Sequence, residues 1–154
     1  MCIRDRYNHY LKGENDISCN NLGWGSSYRA INNKDLVKSG ATAAARHTAK
    51  DNLQYRTNLH LLDEIIAFAA HKHIKVILFT SPAYKSYVSH LNRNQWNTTL
   101  STIKKLNTLH STIKYFNLLQ DSSFHAQDFY DGDHLNEIGA KKLSLEMNVL
   151  LGKI

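Results

Sequence analysis

Apolar residues along this chain recur with two different periods, and the switch between them divides it into elements. Leu59, Leu62, Ile65, Ile66 and Ala69 fall at spacings of three and four, with Asp63 and Glu64 opposite them. The pattern is helical from Ala41 to His73 and predicts a helix that begins near Asp51. Ile74-Lys-Val-Ile-Leu-Phe-Thr80 is short, β-branched and nearly all apolar. It predicts a buried strand of a parallel sheet covered on both faces. Pro82 removes a backbone donor and stops that strand. Trp96, Leu100, Ile103 and Leu106 mark a second helix, and Ile113-Lys-Tyr-Phe-Asn-Leu-Leu119 a second strand. Ala140, Leu143, Met147 and Leu150 form the core face of a last helix, Glu137 to Leu151. The order helix, strand, helix, strand, loop, helix predicts an α/β domain built on a βαβ unit with a right-handed crossover.

Residues 1–40 break the pattern. They are polar, Asn-rich and Gly-containing, and read as an irregular segment ahead of an α/β domain over 41–154. Met1 to Arg6 fits no structural pattern and reads as non-native sequence. At 154 residues the chain suits one domain with a single core. Its 42% hydrophobic and 21% charged content is that of an ordinary globular protein. The longest apolar runs, Ile65 to Ala70 and Val76 to Phe79, are too short to cross a bilayer.

A net charge of +6 raises the question of a nucleic-acid footprint. Lys and Arg are scattered, however, with no run longer than the pairs Lys104-Lys105 and Lys141-Lys142, so no nucleic-acid partner is expected. Cys2 and Cys19 have neither a metal nor a redox spacing, and no cofactor is implied.

Chemistry concentrates in Asp128-Phe-Tyr-Asp-Gly-Asp-His-Leu-Asn136, which places three carboxylates and an imidazole ahead of the last helix. In an open α/β sheet, sites form outside the carboxyl ends of the strands, where this loop falls. A carboxylate three residues before a His can hold the ring in one tautomer, as a general base requires. Asp131 and His134 are therefore the leading pair. Asp133 adjoins the His in sequence, a placement that usually points the two side chains apart. Asn136 is placed to cap the helix. The competing chemistry is a divalent cation held by Asp128, Asp131, Asp133 and His134 in a metal-dependent hydrolase. His71 and His73 face apart on a helix and read as a solvated turn. Arg46, His47 and Asn58 are polar groups without an evident role. Gly23-Trp-Gly-Ser-Ser27 is a Gly-rich loop suited to lining a substrate, but it lacks the context of a phosphate loop.

The block Phe129-Tyr-Asp-Gly-Asp-His-Leu-Asn-Glu-Ile-Gly-Ala-Lys-Lys-Leu-Ser144 resembles the C-terminal block of the SGNH (GDSL-type) hydrolases. Ile74 to Tyr84, a strand running into Ser-Pro-Ala-Tyr, is similar to the strand that precedes it, so the likeness spans roughly residues 50 to 154. The resemblance implies a three-layer, flavodoxin-like parallel sheet and a serine esterase or acyl transferase. Asp131 would be the triad acid and His134 the base, acting on a small-molecule or acylated-carbohydrate ester. Gly139 would let the last helix approach the sheet. It further implies a cell-envelope or periplasmic setting, with membrane association of a longer parent.

The family nucleophile, a Ser in a Gly-Asp-Ser block after the first strand, has no counterpart here. Gly13-Glu-Asn-Asp16 matches the family's Gly-x-Asn-Asp oxyanion block only formally, since the polar Tyr7 to Lys12 precedes it instead of a strand. The expectation is a C-terminal portion lacking its first strand and nucleophile, inactive alone. Ser81, at the end of the first predicted strand, is the remaining candidate, although a Ser before Pro82 also suits a turn. A binding domain of the same fold without catalysis is the alternative from another class.

Overall fold

Two short parallel strands organise the chain. The structure is a computed structural model that describes Leu11, residues 27–51 and residues 53–153. Met1 to Arg6, Cys2, Cys19, the 13–16 stretch and residues 23–26 lie outside the described residues. Strand β1 (Val76–Thr80) pairs with β2 (Ile113–Asn117), with Val76 opposite Ile113 and Thr80 opposite Asn117. Helix α2 (Leu53–His71) and helix α4 (Arg93–Leu109) lie on one face of this pair. Ile66 and Leu106 meet Ile113 there, flanked by Leu59, Leu62, Val76 and Leu78. The chain is thus mixed α/β with a βαβ order.

Several expectations change. The first strand starts at Val76, not Ile74, because the preceding residues close α2. The Ile74 amide donates to the Ala69 carbonyl at 2.8 Å and the His73 amide to Ala70 at 3.0 Å, with His73 at φ 58°. That is the left-handed closure commonly made at helix ends. His71, Lys72 and His73 are exposed, as a solvated turn should be. Burial of both sheet faces is incomplete: Phe79, on the face away from Leu78, is 45% exposed. Among the described residues the sheet has two strands, so the three-layer arrangement is not seen.

The segment read as irregular up to residue 40 becomes helical earlier. Helix α1 (Leu36–His47) begins where the Asp35 carboxylate accepts the Val37 and Lys38 amides at 2.9 and 3.0 Å. The continuous helical pattern expected from Ala41 to His73 is two helices, separated after Thr48. The buried face of α1 is Gly40, Ala43 and Ala44, packed on the short helix α3 (Lys85–His90). The Ser86 hydroxyl donates to the Leu36 carbonyl at 2.6 Å across that contact. A Cβ on Gly40 would lie 2.1 Å from Ser86 Oγ and 2.7 Å from the Tyr87 amide. The last helix, α5 (Glu137–Leu151), has the predicted bounds.

Candidate active site

The strands deliver the Asp131–His134 loop to their carboxyl ends. The Leu118 amide donates to Thr80 at 3.0 Å, the Ala83 amide to Leu119 at 3.2 Å and the Tyr84 amide to Gly132 at 3.0 Å. The loop therefore hangs from the segment that leaves β1. It closes on itself through a bridge between Phe129 and Leu135, with the Tyr130 amide donating to the His134 carbonyl at 2.9 Å. On its other flank the Gly132 amide donates to Ser39 Oγ at 2.9 Å. A Cβ on Gly132 would sit 2.2 Å from Gly40 Cα, so only glycine lets the loop lie this close to α1.

Asn136 anchors the exit. Its Oδ1 caps α5 by accepting the Ile138 and Gly139 amides at 3.0 and 3.1 Å. Its Nδ2 donates to the Gln127 and Phe129 carbonyls at 2.7 and 3.2 Å, and the residue is 1% exposed. A capping residue is thus also the staple of the loop. Gly139 does permit a close approach, but to the Asp128 carbonyl, which a Cβ would meet at 2.1 Å, and not to the sheet.

At the centre, His134 Nδ1 lies 2.9 Å from Asp131 Oδ1. The same oxygen accepts the backbone amides of His134 at 2.8 Å and Asp133 at 3.2 Å. Burial works against ionisation of Asp131. The hydrogen bond and charge of His134, with those two amides, outweigh it and hold the carboxyl below its ordinary value. An ionised Asp131 accepts from Nδ1–H and leaves Nε2 as the ring's proton acceptor. The imidazole is partly open, with 41% of its side chain exposed. Tyr28 lies over it at 5.0 Å between centroids and stacks on Tyr130 at 4.7 Å.

Asp133 departs from expectation. Adjacent side chains were expected to diverge, yet its Oδ1 lies 3.5 Å from His134 Nδ1. Its Oδ2 is 3.3 Å from Arg46 Nη2 and 3.7 Å from His47 Nε2, both at the end of α1. These contacts turn the carboxylate inward. Burial, with the neighbouring Asp131 charge adding to it against the pull of His134, raises its carboxyl above the ordinary value. His47 Nδ1 is 3.0 Å from the Tyr87 hydroxyl. Burial raises the Tyr87 phenol, and the Asp133 charge adds to that against Arg46.

The other candidates stand apart. Asp128 is turned away, accepting from the His125 amide at 2.8 Å and from Lys142 Nζ at 3.0 Å. Burial opposes its ionisation, but the His125 amide and Lys142 prevail and hold it low. Asp131, Asp133 and His134 each offer one atom within 4.8 Å of the others, so three of the four ligands proposed for a cation converge. Arg46 already sits on the outer oxygen of Asp133, which weakens a cation's claim on it. Ser81 is exposed, and among the described residues no hydrogen bond joins it to His134. Asn58 is exposed on α2.

Sequence reasoning gave no role to Tyr28, Ser39, Gly40 or Tyr87, and none to Arg46 or His47. Their signal is tertiary: each meets the loop, or a residue bound to the loop, from a distant part of the chain. Among the described residues no helix is long and apolar enough to cross a membrane. Compared with family models, with curated proteins and with solved structures, the chain finds no match.

Proposed function

We propose that this chain carries the acid and base of a Ser-His-Asp hydrolase site, in a domain of SGNH-like, three-layer type. One observation supports it above the rest: His134 Nδ1 lies 2.9 Å from a mostly buried Asp131 carboxylate, while the ring stays partly open. In the reaction a serine oxygen attacks an ester carbonyl and its proton passes to His134 Nε2. Asp131 stabilises the imidazolium that forms. Collapse of the tetrahedral adduct breaks the bond to the alcohol, which takes that proton from His134 as it leaves. Water then releases the acid by the same steps in reverse. An esterase or an acyl transferase differs only in whether water or another alcohol accepts the acyl group. An acylated carbohydrate is the substrate class that the resemblance implies.

The serine is expected from outside the described residues, because Ser81 has no link to His134 and no Gly-Asp-Ser is present. The test is hydrolysis of a short-chain nitrophenyl ester by this chain and by a form extended upstream in its gene. The extended form should be active, and His134→Ala should lower its kcat by several orders of magnitude. Activity that survives His134→Ala would end the assignment. Activity of the present chain abolished by Ser81→Ala would make Ser81 the nucleophile.

A further inference from the structure

We propose that Arg46 and His47 are positioning residues of this site. From the end of α1 they hold Asp133 against His134 as a second, charge-compensated carboxylate. The inference rests on the reading of His134 as a base. Two carboxylates face one imidazole nitrogen, Asp131 at 2.9 Å and Asp133 at 3.5 Å. Two uncompensated negative charges at that range favour the charged form of a ring, and a protonated imidazole cannot accept the serine proton.

Arg46 removes the difficulty. Its guanidinium, on a side chain 60% exposed, is 3.3 Å from the outer oxygen of Asp133, whose own side chain is 8% exposed. Counting Asp131, Asp133, Arg46 and a neutral ring, the cluster holds one net negative charge and becomes neutral when His134 takes a proton. Without Arg46 it would hold two.

His47 completes the brace. The Tyr87 hydroxyl lies 3.0 Å from His47 Nδ1; donating there, it would favour the tautomer whose Nε2–H faces Asp133 Oδ2, 3.7 Å away. Tyr87 comes from α3, so a second helix supports the His47 ring. The other charged or titratable groups around the cluster are Asp131 in the same loop and Tyr28 over the ring. Lys34, Asp35 and Lys38 line the same cavity of about 330 Å³ as both carboxylates.

The experiment is a proton titration of the His134 and His47 ring resonances by NMR, in the full chain. In Arg46→Met the His134 midpoint should rise by about half a pH unit or more, and in Asp133→Asn it should fall by a similar amount. Arg46→Lys, which keeps the charge, should stay nearer the wild type. In Arg46→Met/Asp133→Asn the effect of Arg46 should largely vanish, since it acts through Asp133. Tyr87→Phe should change the His47 tautomer populations while leaving the fold intact. An Arg46→Met midpoint equal to the wild type would overturn the proposal. So would an Arg46 effect of equal size with and without Asp133, which would mean diffuse surface charge. Ester hydrolysis is not the readout, so an inactive enzyme and a failed brace are told apart.

Discussion

The half of the molecule that holds the loop and the half that holds the sheet are stabilised by opposite means. Around the loop, α1 and α3 meet through Gly40, Ala43, Ala44 and Ser86, and the fixing contacts are hydrogen bonds to Ser39, Gly132 and Asn136. Around the sheet, large aliphatic side chains do the work: Ile66, Leu106 and Ile113 with their flanking leucines. Backbones in close contact hold a geometry finely but leave no room for added atoms. Aliphatic packing tolerates reshaping but loses burial energy when atoms are removed. The helix over the sheet also leaves Leu61 and Phe68 exposed on its outer side, and with them Ile65, which the spacing groups with Leu62 and Ile66, whereas the loop half buries Asp131 and Asn136. Geometry is concentrated where the candidate chemistry lies.

That contrast can be broken by exchanging the insults. Ile66→Ala, at a side chain with no exposure, should cost about 3 to 4 kcal/mol in chemical denaturation. It should leave the His134 resonances of the folded protein nearly unmoved. Gly132→Ala should cost somewhat less, about 2 to 3 kcal/mol, because its Cβ meets the Gly40 backbone and no side chain can rotate away. It should, however, shift the His134 resonances strongly. Equal effects of the two variants on His134 would show that the halves are not independent.

A smaller effect concerns acid stability. Asp131 has its carboxyl held low in the fold, chiefly by His134 and the loop amides against burial. Its stabilisation is complete above the ordinary carboxylate range near pH 4 and is lost as pH falls through the folded value. Asp133 is raised by burial, so its contribution has the opposite sign: it favours the fold at low pH and fades as pH rises through its folded value. The two partly offset one another. Denaturant midpoints between pH 2 and pH 7 should therefore fall on acidification less steeply in Asp131→Asn and more steeply in Asp133→Asn. The reverse order would contradict the roles given to the two carboxylates.

The sheet half was readable because its signal lies in large side chains with a period. The Leu59 to Ala69 spacing, the apolar run into Thr80 and the last helix from Glu137 all state their own element. The start of helix α1 and its break from α2 were not readable by that route, although the pattern is helical from Ala41. Its buried face is glycine and alanine, which give no apolar stripe, although Asp35 is a capping residue in plain view. Pairing Asp131 with His134 followed from local spacing, since both lie in one short loop. The inward turn of Asp133 did not, because Arg46 and His47 cause it from 87 and 86 positions away in sequence. Tyr28 and Gly40 were hidden for the same reason, as their partners are supplied only by the fold.

The most direct test of the central claim is the tautomer of neutral His134, read from its ring nitrogen shifts above the titration midpoint. Free histidine favours the proton on Nε2, so the expected state is a distinctive one. The expected state is Nδ1–H, hydrogen-bonded to Asp131 and leaving Nε2 unprotonated, with the preference lost in Asp131→Asn. A ring that carries its proton on Nε2 in the wild-type chain, or keeps Nδ1–H unchanged in Asp131→Asn, would contradict it.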